Sequence, residues 1–557
     1  MSKKFFFAFL FILNCLLIDS QSLDWIWVKN IYGNLSDAEI YHSDVDIDND
    51  GDIIILGEFI GTIKFGSIEL NSQGLRDIFI AKCDTIGNWK WAFNIGGDYE
   101  DFGKTLEINN NNDVIVFGSY SHQSYFGDSL ILAVGPDFNN SFLAKFNEQG
   151  EFMWVHNLGT RQEYEGDLAI DINDNIYITG SFGESIRFGE TILKNNLFYG
   201  IYAAKCNSNG TWIWAEQANG NNPSCIATSE GICVDNIGNI TITGYYNGDN
   251  LIFGSDTLDG PDGEGNEMYI AHSNSSGNWE WAIQGGGAHS EWPSCIEIDD
   301  SGSFIIAGIF DGTAIFGDYE LEVTWDINMF LAKYTKDGLW EMATQSKGNS
   351  SVEPEDIDVI ENIIYVTGSF YFDSATFGDA VLYSNGESDF FVAQCDNSGN
   401  WISANSAGGS QNDRGNSIVI DENNNLITVG TYKSEAVFGN LSLTTTNNSH
   451  FIGKLGSKSP DTYFNEQNES RSNPSLKIFP NPLSGKSIIE FRLANPSNVG
   501  IDFYTIDGKY IQNVFNGVKG TGVHNIMLDT ENLSSGIYLL KIRTDEYNTI
   551  QKCVISK

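Results

Sequence analysis

Apolar residues along this chain occur in short runs of strand length, which Asn, Asp and Gly interrupt at regular intervals. In one stretch the polar turn Asp171–Asn175 leads into the run Ile176–Phe182. Runs of this length bounded by turn residues predict β-strands joined by tight turns. The pattern therefore indicates a chain built from many short β-hairpins.

The hairpin pattern belongs to a longer unit that recurs seven times. A Phe-Gly pair marks each copy, with successive spacings of 61, 62, 65, 63, 61 and 61 residues, at Phe65-Gly66, Phe126-Gly127, Phe188-Gly189, Phe253-Gly254, Phe316-Gly317, Phe377-Gly378 and Phe438-Gly439. Such a unit cannot bury its apolar surface alone, so the copies are expected to stack in an open row or a closed ring.

A third and a fourth strand follow in each copy. The third strand ends in Ala-Lys or a close variant, at Ala81-Lys82, Ala144-Lys145, Ala204-Lys205, Ala271-His272, Ala332-Lys333, Ala393-Gln394 and Gly453-Lys454. The fourth carries large residues two apart, hence on one face, at Trp89/Trp91, Phe152/Trp154, Trp212/Trp214, Trp279/Trp281, Trp340/Met342 and Trp401/Ser403. Seven third strands are thus followed by only six fourth strands. The missing one is found at Trp25-Ile-Trp27, near the N-terminus.

This offset predicts a closed seven-bladed β-propeller over residues 21–456. Residues 24–29 would supply the outermost strand of the last blade, whose other strands come from about 416–455. A ring completed by a strand from the opposite terminus leaves only short, protected edges. The alternative is an open β-solenoid, although a unit of about 62 residues suits a four-stranded blade better.

The composition is consistent with an all-β fold and limits the partners. The 58 glycines and 13% aromatic residues suit many short strands and tight turns. A formal charge of −44, from 30 basic and 74 acidic residues, argues against nucleic acid or anionic lipid as a partner.

The first twenty residues predict a signal peptide for secretion. Lys3-Lys4 precede the apolar stretch Phe5 to Ile18, and Ser20 lies at a plausible cleavage point. Cys15 raises a lipoprotein alternative, which Asn14 before it disfavours. After residue 20 the sequence shows no apolar run long enough to span a membrane, so no transmembrane segment is expected in the mature chain.

The cysteines do not form a convincing disulfide framework. Cys83, Cys206 and Cys395 share one repeat position with large apolar residues of other copies, which indicates packing. Cys225 and Cys233 lie close together in sequence and could pair with each other.

A second domain follows the repeats. Residues 457–474, rich in Ser, Asn, Pro and charge, predict a linker, and 475–557 predict a small Ig-like β-sandwich. The segments Ile478-Phe-Pro-Asn-Pro482, Ile501 to Lys509 and Ser535-Gly-Ile-Tyr-Leu-Leu-Lys541 resemble the C-terminal sorting domain of type IX secretion cargo from the Bacteroidetes. The resemblance assigns sorting-signal positions to Pro480, Asn481, Pro482, Gly536, Tyr538 and Lys541. An ordinary adhesive Ig-like module is the alternative.

The resemblance implies export by the signal peptide and then by the type IX machinery, which would be a partner of this domain. The protein would be secreted and could be attached to the cell surface. The seven repeats separately resemble the bacterial β-propeller family called SBBP, which supports the fold and adds little about chemistry.

Two catalytic propeller motifs fail on residue type or spacing. In Asp84-Thr-Ile-Gly87-Asn-Trp89 the glycine lies one residue later than in a sialidase Asp box, and the Ser and Thr are missing. Quinoprotein propellers share the Asp, Gly and Trp spacing of Ala81–Trp91, but there the motif docks a Trp between blades. The motif therefore predicts packing and no cofactor.

A calcium site is one interpretation of Asp46, Asp48 and Asp50, whose alternating carboxylates resemble a calcium loop. The acid expected further on is missing, since the twelfth position is Gly57. The other interpretation is a hairpin in which Asp and Asn serve turn geometry.

Acidic residues also gather in the connection from the fourth strand of one blade to the first strand of the next. The candidates on this ligand face are Asp101, Glu165, Glu291, Trp292, Glu355 and Asp413, with Tyr99 and Tyr164 as further stacking partners. Ring symmetry would bring them round one channel mouth, where they could bind a cation or a hydroxyl-rich ligand. Alternatively, each carboxylate caps backbone amides in its own loop.

The sequence therefore favours a secreted or surface-attached module that binds a glycan or a protein without catalysis. A polysaccharide hydrolase or lyase with its site on the same face is the alternative. No acid, base or His residue clearly breaks the repeat as a catalytic group would.

Overall fold

The protein is all-β in every part of the chain that the structure describes. The computed structural model describes residues 23–33, 43–133, 139–159, 166–195, 197–220, 225–248, 250–260, 265–287, 289–457, 477–479, 486–493, 496–505, 509–530, 533–534, 536–544 and 548–555. These residues form 48 strands and no helix, so they contain no helix that could cross a membrane. The predicted signal peptide, Cys15 and almost all of the predicted linker lie outside the described residues.

The strands of the repeat region are short and closely spaced. Strands β1 to β13 are Leu23–Gly33, Ser43–Ile47, Ile53–Phe59, Thr62–Phe65, Ile68–Asn71, Asp77–Cys83, Trp89–Ile95, Asp101–Ile108, Val114–Ser121, Gln123–Phe126, Ser129–Leu132, Asn139–Phe146 and Phe152–Asn157. Strands β14 to β27 are Gly166–Ile170, Ile176–Phe182, Ser185–Phe188, Thr191–Lys194, Gly200–Cys206, Trp212–Gln217, Asn219–Gly220, Ile226–Ala227, Gly231–Val234, Ile240–Asn247, Leu251–Phe253, Asp256–Leu258, Glu267–Ser273 and Trp279–Gly285. Strands β28 to β41 are Glu291–Ile298, Phe304–Phe316, Tyr319–Tyr334, Trp340–Gln345, Lys347–Gly348, Val352–Ile360, Ile363–Tyr371, Ser374–Phe377, Ala380–Tyr383, Ser388–Asp396, Trp401–Ala407, Arg414–Ile420, Leu426–Phe438 and Leu441–Ser457.

These strands form a series of four-stranded antiparallel sheets, numbered here in chain order. Within the described residues the sheets are β2-β3-β6-β7, β8-β9-β12-β13, β14-β15-β18-β19, β22-β23-β26-β27, β28-β29-β30-β31, β33-β34-β37-β38 and β39-β40-β41-β1. In the first sheet, every residue of β3 and β6 is buried, because both faces of these middle strands are covered. The apolar runs of the sequence are therefore these middle strands.

The Phe-Gly pairs lie in an additional hairpin that the sequence analysis did not assign. Its two short strands, such as β4 and β5, stand beside the four-stranded sheet, and the glycine adopts a positive φ of 59° to 62° in the turn between them. Glycine suits this left-handed conformation because it has no Cβ. The Phe ring packs edge-on against the first Trp of the fourth strand, at 4.9 Å for Phe65 and Trp89. The two landmarks of the repeat thus contact each other.

The last sheet is completed by the N-terminal strand. Strand β1 pairs antiparallel with β41, and the register places Trp25 opposite Leu455 and Asn30 opposite Phe451. The Trp25 ring contacts Phe438 edge-on at 4.8 Å. A Cβ on Gly453 would lie 2.4 Å from the Trp25 ring, which explains why this copy has Gly in place of the Ala of other copies.

Each sheet packs against its neighbours through a separate apolar cluster. Seven clusters in the described part of residues 23–457 join consecutive sheets, and one of them contains Ile427 and Ile452 of the seventh sheet together with Ile53 and Phe79 of the first. The first strands also contact one another in the order β2, β8, β14, β22, β28, β33, β39 and back to β2. The series of contacts therefore returns to its starting sheet.

The Ala-Lys landmark is explained by a buried ion pair. The Lys of the third strand reaches the Asp that opens the first hairpin, with N–O distances of 2.5 Å for Lys82–Asp48, 2.8 Å for Lys145–Asp113, 3.7 Å for Lys205–Asp171, 2.9 Å for Lys333–Asp299 and 2.7 Å for Lys454–Asp421. Lys82 also contacts Asp52 at 3.2 Å. The positive charge inside the Asp46–Asp52 loop is thus the Lys82 ammonium group. Its Asp48 carboxylate additionally accepts the N–H groups of Asp50 and Asp52, as in a turn.

The C-terminal residues form a second compact unit, which begins at residue 458. Strands β42 to β48 are Lys477–Phe479, Lys486–Leu493, Ser497–Thr505, Tyr510–Lys519, Gly522–Asp529, Gly536–Arg543 and Asn548–Ile555. They form the sheets β42-β43-β46 and β45-β44-β47-β48. One buried cluster contains Ile489 and Phe491 of the first sheet and Phe503 and Leu540 of the second, so the two sheets share a core.

The contact between Trp25 and Phe438 gives a test of how the seventh sheet is held. Trp25 is 6% exposed, so we expect Trp25→Ala to lower the free energy of unfolding by about 3–5 kcal/mol. Denaturant melts of the repeat region measure this change. Ile26→Ala, at the half-buried bulge residue that follows Trp25, is the control and should cost less. Equal losses in the two variants would contradict the assigned register.

The Lys82 ammonium group inside the aspartate loop predicts that this loop needs no calcium. We expect excess chelator to leave the melting temperature of the repeat region unchanged. Lys82→Met should lower the free energy of unfolding by about 3–5 kcal/mol, because it leaves the buried Asp48 carboxylate without a cation. A rise in melting temperature on adding calcium that Asp50→Asn abolishes would contradict this prediction.

Candidate functional site

One cavity of about 480 Å³ lies where the seven first strands meet. Every one of these strands, or the residue next to it, contributes to the wall: Ser43 and Asp44, Lys104 and Thr105, Gly166 and Asp167, Glu230, Trp292 to Cys295, Glu355 and Asp356, and Asn416 and Ser417. Tyr245, Ile309 and Ile327 from second and third strands complete the wall. A cavity of this size is typical of small-molecule sites.

Four β-bulges aim side chains into this cavity. In the second sheet, the register between the first strand β8 and its neighbour β9 shifts between Gly103 and Thr105. Equivalent shifts occur in the first strands of the fifth, sixth and seventh sheets. The extra residues at these bulges are Lys104, Ser294, Glu355 and Asn416, and all four line the cavity. A bulge bends a strand and redirects a side chain, and bulges are common beside active sites.

Carboxylates on the first strands hold neighbouring sheets together. The Leu106 N–H donates to Asp44 Oδ2 at 2.8 Å, and the Ile108 N–H donates to Asp46 Oδ2 at 2.7 Å. The same bond recurs at 3.0 Å from Ile232 to Asp167, at 2.9 Å from Ile418 to Asp356 and at 2.7 Å from Ile420 to Asp358. A first strand is an edge strand, and its unpaired N–H groups need acceptors. These aspartates supply the acceptors.

Acidic side chains of the first strands also gather at the cavity, where their ionised forms are disfavoured. Burial by the surrounding strands raises the pKa of Asp44 and of Asp356, and raises that of Asp167 and of Glu355 to about 7. These side chains are half-buried, since they touch the cavity while protein surrounds them. Among the described residues that line the cavity, Lys104 is the one cationic side chain.

More acids lie two residues further along the first strands, on the same face. Burial, with Asp44 and Asp358 nearby, raises the pKa of Asp46 to about 7. The pKa values of Glu107 and Glu297 are raised well above their usual range by burial and by other carboxylates. The interior of the ring of first strands is therefore a region that disfavours anions.

The structure places the predicted ligand-face residues at two different depths. Trp292 and Glu355 line the cavity. Asp101, Glu291 and Asp413 are at most 1% exposed and accept N–H bonds from Gly97 at 3.0 Å, Gly287 at 3.1 Å and Gly409 at 2.6 Å. Glu165 and Tyr164 lie outside the described residues, and Tyr99 stacks on His122 at 3.9 Å.

The remaining predicted positions fall elsewhere. Asp46 lies on β2, whereas Asp48 and Asp50 lie at the adjoining turn; the described residues hold no group of three or more His, Cys, Asp or Glu arranged for a metal ion. Tyr538 is buried in β47 against Phe503, with Gly536 and Lys541 on the same strand. Pro480, Asn481 and Pro482 lie outside the described residues. The sequence left a pairing of Cys225 with Cys233 open; the two belong to different apolar clusters, and no disulfide joins them.

Several first-strand acids were missed by sequence reasoning: Asp44, Glu107, Asp167, Glu297, Asp356 and Asp358. Asp44 and Asp46 recur as Asp356 and Asp358 at the same repeat position, and Glu107 and Glu297 take the second place in two other copies. This pattern was visible, but the prediction assigned Asp46 to a turn or a calcium loop. The bulges that expose Lys104 and Asn416 have no clear signal in the sequence.

Comparison with known proteins identifies the C-terminal unit. Residues 477–556 match the family described as the secretion system C-terminal sorting domain. An uncharacterised WD repeat-containing protein of Acanthamoeba polyphaga mimivirus is 24% identical over 486 residues, which cover 72% of this chain and 35% of that protein. The chain thus spans about a third of the length of this curated relative.

Solved structures give only distant likenesses. The phage phi92 endosialidase has a TM-score of 0.36 at 10% identity, covering 95% of this chain and 87% of that one. An α-L-arabinofuranosidase of Fusarium graminearum has a TM-score of 0.34 at 10% identity, covering 77% of this chain and 97% of that one. PorZ of the Porphyromonas gingivalis type IX secretion system has a TM-score of 0.23 at 10% identity, covering 93% of this chain and 82% of that one. These scores carry no argument about activity or ligand. The C-terminal sorting domain, in contrast, indicates that the protein is secreted and attached to the cell surface.

Proposed function

We propose that this protein is a surface-displayed binding module in which a closed seven-bladed β-propeller captures a glycan. The closed ring is supported by the first-strand contacts that lead from β2 through β39 back to β2, and by the pairing of β1 with β41. The C-terminal unit acts as an Ig-like sorting domain that hands the chain to the type IX machinery.

The cavity formed by all seven first strands is the observation that carries the binding proposal. Its wall combines the aromatic side chains of Trp292 and Tyr245 with the hydrogen-bonding groups of Ser294, Glu355 and Asn416. An aromatic face beside carboxylate, amide and hydroxyl groups matches a sugar ring, which offers an apolar C–H face and several hydroxyl groups. A concave site of about 480 Å³ suits the end of a glycan better than a flat protein surface.

The charge of the cavity narrows the ligand further. Five carboxyl groups and one ammonium group line it, at Asp44, Asp167, Glu230, Glu355, Asp356 and Lys104. An anionic glycan would meet repulsion there, so the ligand is neutral or cationic. Trp292 and Glu355 contact the ligand directly. Asp101, Glu291 and Asp413 hold the loops that surround the cavity. Glu165 is expected among these loop residues.

One observation favours a hydrolase or lyase as a second candidate. Burial, with Glu353 nearby, raises the pKa of Glu355 to about 7, where a carboxyl group can act as a general acid at neutral pH. Several first-strand aspartates accept backbone N–H groups that link neighbouring sheets, a structural role that recurs in successive copies. This recurrence favours binding without turnover.

Substitution of the aromatic wall tests the binding proposal. A glycan array probed with the protein should give a neutral or amine-bearing glycan as a hit. Trp292→Ala should weaken binding of that glycan by about 2 kcal/mol, roughly a 30-fold rise in Kd. Tyr383→Ala, which truncates a side chain that is 68% exposed and outside the cavity wall, is the control and should leave Kd unchanged. Loss of binding in both variants, or in neither, would refute the assignment of the site.

Product analysis of the bound glycan separates binding from catalysis. We expect the wild-type protein to leave the glycan intact across the pH range. If Glu355 were a general acid, turnover would fall on the alkaline side of about pH 7, and Glu355→Gln would lower it by about 10²–10⁴-fold. Any glycan cleavage that Glu355→Gln removes would replace the binding proposal with the hydrolase.

A further inference from the structure

At three junctions between sheets two buried acids lie next to each other. The N–H of the second acid donates to the carbonyl of the residue before the first, from Asp101 to Arg76 at 2.8 Å, from Glu291 to Asn266 at 2.9 Å and from Asp413 to Ser388 at 2.9 Å. One acid comes from the third strand of a sheet and the other from the start of the next sheet, 24 residues later: Asp77 with Asp101, Glu267 with Glu291, and Asp389 with Asp413. All six are 3% exposed or less. None of them forms an ion pair with any described residue.

A pair of glycines fits round each carboxyl pair. A Cβ on Gly286 would lie 2.1 Å from Glu291 Oε2 and 3.1 Å from Glu267 Oε2, so both carboxyl groups face the same point. A Cβ on Gly96 would lie 2.3 Å from Asp77 Oδ1, and one on Gly408 would lie 2.6 Å from Asp389 Oδ1. The first glycine of each pair is Gly96, Gly286 or Gly408. Glycine is needed there because a carboxyl group fills the space that a side chain would occupy.

These glycines also link the sheets. The Tyr125 N–H donates to the Gly96 carbonyl at 2.9 Å, the Gly286 N–H to the Ile315 carbonyl at 3.1 Å, and the Val437 N–H to the Gly408 carbonyl at 2.9 Å. Each bond joins the end of one sheet to the additional hairpin of the next. The carboxyl pairs therefore brace the points at which neighbouring sheets are joined.

At each junction at least one buried carboxyl oxygen has no hydrogen-bond partner: Asp77 Oδ1 and Asp101 Oδ1 at the first, Glu291 Oε2 at the second and Asp389 Oδ1 at the third. The other oxygen of Asp77 accepts the Gln73 N–H, and that of Asp389 accepts the Asn385 N–H. Two unpaired charges at such a place would be costly. A proton between the two groups removes one charge and gives the free oxygen a donor.

Nearby charged groups do not remove the need for that proton. The Arg76 guanidinium group lies 3.0 Å from the Glu58 carboxylate, and His289 pairs with Asp311 at 3.9 Å. Asp311 adds negative charge near Glu291, and the Tyr120 hydroxyl group lies near Asp101. Lys433 offers Asp413 its backbone N–H at 3.1 Å.

We propose that each of these three pairs shares one proton, so that the folded protein carries three built-in proton-binding sites between its sheets. The ligand is a proton and no metal ion, because calcium takes six to eight oxygen ligands and the described residues offer no cluster of three acids. One junction lacks both the acids and the first glycine. There Asn328 and Val352 replace the acids, and Lys347 stands where the first glycine would be.

The titration behaviour agrees with this geometry. Burial, followed by the neighbouring carboxyl group, raises the pKa of Asp101 to about 8, of Glu291 to about 9 and of Asp413 to about 8. Burial raises the pKa of their partners less, to about 6 for Asp77 and Asp389 and about 7 for Glu267.

The sign of the pH effect follows from these raised pKa values. Between about pH 4 and pH 8 to 9 the folded protein holds protons that the unfolded chain has lost. Stability conferred by the pairs is therefore full at acid pH and is lost as the pH rises through these folded-state pKa values. As the pH rises, we expect the loops before β8 and β28, which lead to Lys104 and Trp292, to loosen.

The number of protons released on unfolding tests the proposal. It is obtained at pH 7 from calorimetric unfolding enthalpies in buffers of different ionisation enthalpy. Asp101→Asn, Glu291→Gln and Asp413→Asn each replace the shared proton by an amide donor, so each should lower the release by about one proton and the triple variant by about three. The fall in melting temperature between pH 5 and pH 9 should be smaller in each single variant than in the wild-type protein, and smallest in the triple variant. Asp337→Asn, at an exposed turn residue, is the control and should change neither quantity.

Three outcomes overturn the proposal. An unchanged proton count with a melting temperature lowered equally at every pH would make the pairs merely structural. A melting temperature that depends on calcium, and loses this dependence in the variants, would make them metal sites. The third is a wild-type infrared spectrum at pH 7 with no band from protonated carboxyl groups.

A second set of variants covers the case in which the first set fails to fold. Asp77→Asn, Glu267→Gln and Asp389→Asn replace the other member of each pair.

Discussion

The structure of the repeat region depends on one constraint: each four-stranded sheet is apolar on both faces. The middle strands β3 and β6 are buried along their whole length, and the clusters that bury them always combine residues of two consecutive sheets. A row of such sheets would leave one face exposed at each end. The contacts of the seventh sheet with the first cover both of these faces together, and the N-terminal strand β1 supplies the fourth strand of the seventh sheet.

This constraint is why so much of the fold could be predicted. The Phe-Gly pairs, the Ala-Lys pairs and the fourth-strand aromatics mark positions at which every copy meets the same neighbours, so their spacing reports the repeat directly. Only six copies have a fourth strand after the third. The aromatic pair Trp25 and Trp27 then indicated that the N-terminal strand completes the seventh sheet. The additional hairpin was missed because its strands of four residues carry too little pattern, and its Phe-Gly turn was used only as a marker.

The candidate site was harder to predict for a physical reason. A carboxylate that bridges two sheets and one that meets a ligand look alike in a sequence, because both are acids at a repeated position. The loop acids Asp101, Glu291 and Asp413 are buried, whereas Glu355 reaches the cavity through a bulge that adds one residue to its strand. Trp292 was named with Tyr99 and Tyr164 because all three aromatic residues lie close to loop acids in the sequence, and Trp292 lines the cavity. Asp44 and Asp356, which carry both the sheet contacts and the negative charge of the cavity, could be separated from turn residues only by the register.

The pairing of β1 with β41 has a consequence for the order of events during export. A chain that emerges N-terminus first delivers β1 at the start, whereas its partner strand follows roughly four hundred residues later. Until then the seventh sheet lacks its β1–β41 pairing, and this contact of very large sequence separation forms slowly. The sorting domain follows β41 along the chain and is therefore synthesised after both strands of the pair. All strands of the seventh sheet thus exist before the sorting domain does.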